Sequence, residues 1–157
     1  MNIVNRRRLG LGPKSIKRDD GNSAVEFALI LPLLMTILFG IIKFGLVMGN
    51  YIQLIDGVRA GARGLAQARG SATPYTSTLS TLSAGAPGLT SANIGKTITV
   101  NGTACATDSD CKTAFGSATP GTTSATLTAT YSCDLVVFTY NFAPGCQLSA
   151  STSELIE

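Results

Sequence analysis

The sequence predicts an α+β chain: a long N-terminal helix, membrane-spanning in its first half, followed by a small antiparallel β-sheet domain. Three observations carry this. An apolar run of about twenty residues, the length a bilayer core requires, starts at Phe27. A helical apolar period continues beyond it without a proline as far as Arg69. From residue 71 the composition turns to Thr, Ser, Ala and Gly, with period-two segments and all four cysteines. At 157 residues the chain has room for one modest domain or a small domain plus an anchor, which argues against a multidomain enzyme. It has no His and no Trp. Without His, Ser-His and Cys-His catalysis and His-containing zinc sites are excluded.

Charge is concentrated at one end. Residues 1–21 hold Arg6, Arg7, Arg8, Lys14, Lys17 and Arg18 against Asp19 and Asp20, six cations to two anions and a net of +4. The remaining residues hold six cations and seven anions, a net of −1, so the overall +3 is a basic tip on a nearly neutral body. Such a tip suits nucleic acid or a membrane surface. No nucleic-acid-binding fold or aromatic platform follows it; an apolar run does, so nucleic acid is not an expected partner and membrane lipid is.

The span is assigned to residues 22–49. Pro32 would break a soluble helix interior, but membrane helices accommodate it with a kink. Lys43 sits near the far end, where a long side chain can snorkel to the interface. A secretory signal would have an apolar core of only about 7–15 residues and a small-residue cleavage site after it. Here the run is longer and continues into Tyr51-Ile-Gln-Leu-Ile55, so it reads as a retained anchor. Six Lys and Arg precede it, and only Arg59 and Arg63 follow soon after. That asymmetry keeps the N-terminus cytoplasmic and exports the rest.

Residues 50–70 read as a helix extension outside the membrane, with Tyr51, Leu54, Ile55, Val58, Ala62 and Leu65 on one face. Gly57, Gly61 and Gly64 each weaken an isolated helix by about 0.8–1 kcal/mol relative to Ala, which makes sense if another helix packs close. Gly45-Leu-Val-Met-Gly49 has the spacing that lets backbones approach in a bilayer, and equally fits incidental small residues. Gly70, with Pro74 beyond it, ends the helix.

Residues 71–157 read as a Thr/Ser-rich exported β domain. A loose connection is expected over 71–95, with a short helix near 76–82. Lys96-Thr-Ile-Thr-Val100 is a strand and Asn101-Gly102 a turn; 123–131 and 135–140 are further strands. Together they predict a three- or four-stranded antiparallel sheet packed on the helix. Asn101-Gly-Thr103 also matches a glycosylation sequon, a pattern frequent by chance. Outside the cytoplasm an even cysteine count favours disulfides. Of three possible pairings the expected one joins Cys105 to Cys111 and Cys133 to Cys146. Neither spacing is the short C-x₂₋₄-C pair of a zinc site, so no metal or other cofactor is expected.

At the junction stands Arg18-Asp-Asp-Gly21-Asn-Ser-Ala-Val-Glu26-Phe27. Taken alone, Glu26 is an interfacial first-turn acid, favoured there by about 0.3–1 kcal/mol. The whole string resembles a type IV prepilin cleavage motif, a Gly followed by an acid at mature position five. More closely, Gly21-Asn-Ser-Ala-Val-Glu-Phe-Ala-Leu-Ile-Leu-Pro-Leu-Leu34, taken from Gly21 through the Leu-Pro step, is similar to the start of TadE-like pseudopilins of tight-adherence pilus systems. Phe39-Gly-Ile-Ile-Lys-Phe-Gly45 and Val58-Arg-Ala-Gly-Ala-Arg63 match that family's next landmarks. Lys43 and Ala60 depart from it, standing where the family commonly carries Glu. The signature does not separate TadE from its sister TadF.

The resemblance implies a pilin-like protein that is not an enzyme. A membrane prepilin peptidase would cut after Gly21, the basic leader would be lost, and Asn22 would become the N-terminus, with or without methylation. Glu26, beside Phe27, would offer its carboxylate to an N-terminal amine, its own or a neighbour's, as subunits pack. Implied partners are that peptidase, other pilin subunits and an inner-membrane assembly platform; the implied location is the bacterial inner membrane, single-pass, with the C-terminal domain periplasmic or built into the pilus. Two other readings stay open: an unprocessed single-span anchor presenting an adhesion or binding domain, and an enzyme or metal-binding module using the cysteines or a Ser/Thr nucleophile.

Overall fold

The computed structural model describes residues 19–133, 135–137 and 139–157, with side chains from Gly21 onward. The basic cluster Arg6, Arg7, Arg8, Lys14, Lys17 and Arg18 lies outside the described residues. The chain divides into two compact units, one ending at Leu38 and the other spanning Phe39–Glu157. Helix α1, Asp19–Ala66, contributes to both. It begins before residue 22 and ends short of Arg69, where Gly70 adopts φ +81 and Ser71 N–H donates to Ala68 O at 2.9 Å.

In the first unit α1 is helical straight through Pro32. Proline supplies no N–H to the carbonyl four residues back. One turn later, Thr36 Oγ1 donates to Pro32 O at 2.8 Å, returning a hydroxyl to the backbone beside the interruption. Almost every side chain over residues 21–38 is exposed. Gly21–Ala66 is long and apolar enough to cross a membrane, and its most apolar window is unburied.

In the second unit α1 acquires a core face. Val47 is its first buried residue, followed by Leu54, Val58, Ala62 and Leu65. Helix α2, Pro74–Gly85, crosses this face where the glycines lie. A Cβ on Gly85 would stand 2.9 Å from the Gly57 Cα, and one on Gly57 would stand 2.8 Å from the Leu82 carbonyl oxygen. The expected close helical neighbour is thus α2 of the same chain. The segment 71–95 is correspondingly better ordered than its composition suggests: α2 is 12 residues long and a 3₁₀ turn, Ser91–Asn93, follows. Thr78, Ser80, Thr81 and Ser83 return their hydroxyls to carbonyls three or four residues back, a habit that weakens isolated helices. Packing against α1 therefore holds α2 together, as tertiary burial does for most short helices.

This contact yields a paired expectation. Gly57→Ala forces a methyl against a backbone carbonyl that cannot move alone, and overpacking of that kind costs about 1–3 kcal/mol. At Gly64 the nearest atoms to an added Cβ are Thr81 side-chain atoms at 3.6 Å or more. Gly64→Ala should therefore be neutral or stabilising, by up to about 1 kcal/mol of helix propensity. Thermal melts of the full chain in detergent micelles would show the opposite signs; a Gly57→Ala protein melting with or above the wild type would contradict the packing argument.

The main sheet is four-stranded and antiparallel in the order β2-β1-β3-β6, with β1 Ile94–Val100, β2 Thr103–Cys105, β3 Ser124–Ser132 and β6 Gln147–Leu155. An α+β fold with a small antiparallel sheet is therefore present. Asn101 and Gly102, at φ 54 and 75, make the primed two-residue turn between β1 and β2. Ile98, Val100, Leu127 and Ala129 face the core with Leu54, Val58 and Leu65 of α1. On the other face hydroxyls pair across β3 and β6: Thr126 with Ser153 at 2.6 Å, Thr128 with Ser151 at 2.8 Å.

Two parts of this differ from the sequence reading. The expected strand 135–140 is instead a separate hairpin, β4 Val136–Val137 with β5 Tyr140–Asn141, outside the main sheet. The main sheet takes its fourth strand from β6, whose Ser/Ala/Thr sequence lacks the branched and aromatic residues that mark strands. Helix α3, Asp108–Gly116, lies in a stretch for which the sequence reading named no element. Thr107 caps it, accepting from Asp110 N–H at 3.2 Å, while Asp110 accepts from Ala106 N–H at 3.4 Å.

Asp108 joins α3 to α2. Its two carboxylate oxygens accept from Thr76 N–H at 2.9 Å and Thr76 Oγ1 at 2.7 Å. Those bonds, the hydroxyl's first, hold its pKa below the ordinary aspartate value of 3.8. A depressed carboxylate contributes stability above its unfolded pKa and loses it as pH falls through the folded one. Asp108→Asn should therefore lower the melting temperature slightly at pH 7, the gap closing once pH drops below 3.8. A gap that persists in strong acid would show that the charge is not what matters.

Candidate processing and assembly site

Gly21, Asn22, Glu26 and Phe27 occupy successive turns near the start of α1. Asn22 and Glu26 are one turn apart and share a face, with Asn22 Nδ2 donating to Glu26 Oε1 at 3.2 Å. Both are exposed, and among the described residues Asn22 is the polar partner of Glu26. Gly21 stands in open space: a Cβ built on it would meet nothing within 4 Å. Phe27 is 61% exposed and begins a surface that includes Leu29, Ile30, Leu33, Leu34 and Ile37.

The chemistry available here is limited and specific. The peptide bond after Gly21 lies within α1, at a residue that weakens a helix by about 0.8–1 kcal/mol relative to Ala. Cleavage there would put the new α-amine on Asn22, the residue already one turn from the Glu26 carboxylate. A positive amine at a helix N-terminus opposes the dipole, and an acid in the first turn offsets it.

The cysteines serve elsewhere. Disulfides join Cys105 at the end of β2 to Cys111 of α3, and Cys133 to Cys146 around the β4–β5 hairpin, with Cα separations of 5.0 and 5.3 Å. Among the described residues no three His, Cys, Asp or Glu side chains gather to hold a metal ion.

Sequence reasoning passed over Gly85, the α2 half of the glycine contact, and Asp108, the link between α2 and α3. The first is legible only once α2 is known to extend past residue 82. The second carries a capping signal, Thr107-Asp-Ser-Asp110, which reads as a helix start.

Comparison with known proteins places a likeness at this site. The family described as TadE-like protein matches residues 21–63, from Gly21 to Arg63 within α1. The match includes the whole of the Gly21–Phe27 cluster and none of the sheet. Neither the curated proteins nor the solved structures offer a match to the chain.

Proposed function

We propose that this chain is a minor pilin or pseudopilin of a tight-adherence, type IV-like pilus, matured by a prepilin peptidase that cuts after Gly21. The observation that carries the reading is the TadE-like match over residues 21–63, coincident with a helix whose first half is apolar and uncovered. An unburied apolar helix needs lipid or other helices around it, and a pilin uses both in turn: lipid before assembly, neighbouring subunits after it. The chain thus acts as a peptidase substrate and a structural part, and catalyses nothing. It resides in the bacterial inner membrane with residues 1–21 cytoplasmic and the sheet domain periplasmic, and there it meets the assembly platform.

The deciding experiment is intact mass and N-terminal sequencing of the protein recovered from membranes, with and without a cognate prepilin peptidase. The expected product starts at Asn22. An unchanged mass with active peptidase present would leave the unprocessed anchor, carrying an adhesion or binding domain, as the better reading.

A further inference from the structure

The β4–β5 hairpin has no place in the main sheet, yet it is held firmly. Cys133–Cys146 closes its base, with Cys133 N–H donating to Cys146 O at 3.1 Å and Phe142 N–H to Leu135 O at 3.1 Å. Its return arm, β5 and the residue after it, presents two aromatics to the outside. Tyr140 is 71% and Phe142 61% exposed, their rings 5.4 Å apart edge to face. Among the described residues outside α1, the exposed large apolar side chains are this pair and Leu155. No charged residue occurs from 135 to 153.

Position along the helix says what this surface faces. Val136 and Val137 line one crevice of about 120 Å³ with Phe39 and Lys43 of α1. Those helix residues belong to the apolar run, which extends from Phe27 to Leu46 before Val47 becomes the first residue covered by protein. Lys43 lies three residues inside Leu46 and six inside the end of the assigned span at Gly49, about 5–9 Å at 1.5 Å per residue. Aromatic side chains favour that level, the boundary between headgroups and acyl chains, where apolar faces settle about 5–10 Å deep. Apart from Asp134, next to Cys133 in sequence, the disulfide-closed loop carries no charge, which suits that level, and Lys43, half-buried, has the length to bring its charge to the headgroups.

We infer that the disulfide-closed hairpin is a second membrane contact, lying in the headgroup layer of the leaflet on the sheet-domain side with Tyr140 and Phe142 inserted among lipid. This rests on the reading of α1 as a membrane anchor. The occupant is lipid: the hairpin packs on the segment of α1 that the bilayer surrounds, so lipid meets it before any neighbouring subunit does.

The absence of native Trp makes the test direct. Single-Trp versions of the full chain, Tyr140→Trp, Phe142→Trp, Ser109→Trp on exposed α3 and Leu34→Trp within the span, are reconstituted in phosphatidylethanolamine/phosphatidylglycerol vesicles. Half of each set contains brominated acyl chains, which quench Trp on contact. Position 34 should be strongly quenched, 140 and 142 quenched severalfold more than 109, and 109 little affected. Quenching at 34 with 140 and 142 behaving like 109 overturns the hairpin contact and leaves the anchor standing. No quenching at 34 removes the anchor and the inference with it. Blue-shifted but unquenched emission at 140 and 142 assigns the patch to protein and also overturns the lipid contact. Intact mass with and without reductant checks that both disulfides are present in each variant.

Discussion

Gly21→Leu is expected to leave the chain uncut, its full mass retained under conditions that remove 21 residues from the wild type. The effect is close to all-or-none because a protease subsite that accepts a bare Cα has no space for a branched side chain. The fold gives the experiment its clarity. A Cβ at position 21 meets nothing within 4 Å, and leucine is a better helix former than glycine by roughly 1 kcal/mol. The substitution should thus leave the uncut protein folded and inserted, placing any loss of processing at the peptidase. Gly21→Ala, with one small added group, should be cut more slowly than wild type but faster than the leucine variant. Equal cleavage of all three would separate Gly21 from the processing role proposed for it.

The second large effect belongs to Glu26. Glu26→Ala should insert and be cut normally, because in the single chain it loses only an exposed hydrogen bond from Asn22. Assembly is another matter. Among packed helices the carboxylate would meet an N-terminal amine, and two unit charges 4 Å apart attract by about 4 kcal/mol at an effective dielectric of 20. An acid left without that partner deep in a bilayer costs about 2.5–3.5 kcal/mol, so charge and partner must arrive together. Each 1.4 kcal/mol lost from subunit association is about tenfold in the equilibrium, so piliation should fall by tenfold or more. Glu26→Gln keeps size and hydrogen bonding but not charge, and should resemble the alanine variant. Pili counted by electron microscopy, in cells whose sole copy is the variant, supply the measurement. Normal numbers with Glu26→Gln would show that charge is not what the assembly uses.

What the sequence made legible follows from where local chemistry alone decides structure. The apolar run and its helical continuation are governed by hydropathy and period, and α1 is one helix as those patterns require. Asn101-Gly102 fixes its turn through two left-handed residues. The main features that escaped depend on partners distant in sequence. Strand β6 has weak intrinsic preference and exists because each residue from Gln147 to Leu155 pairs with β3. Helix α2 is longer than its Ser and Thr content suggests because Gly57 and Gly61 let it sit against α1. The strand read at 135–140 became a hairpin tethered by Cys133–Cys146, since a covalent loop constrains the chain more than strand preference does. At the site itself the motif placed Gly21, Asn22, Glu26 and Phe27 on one helix start, whereas the Asn22–Glu26 bond is a side-chain detail that only coordinates supply.

The order of strands has a consequence for timing. Strand β3 stands between β1 and β6, and β6 comes last in the chain. Until residues 147–155 arrive, β3 presents a bare edge of backbone donors and acceptors, the kind of surface that recruits strands from other molecules. Under the proposed topology those residues cross the membrane after β3 does. The sheet therefore stays open along β3 until β6 has crossed. A chain stalled or clipped before β6 would be a sticky one, with its β3 edge open to strands of other molecules.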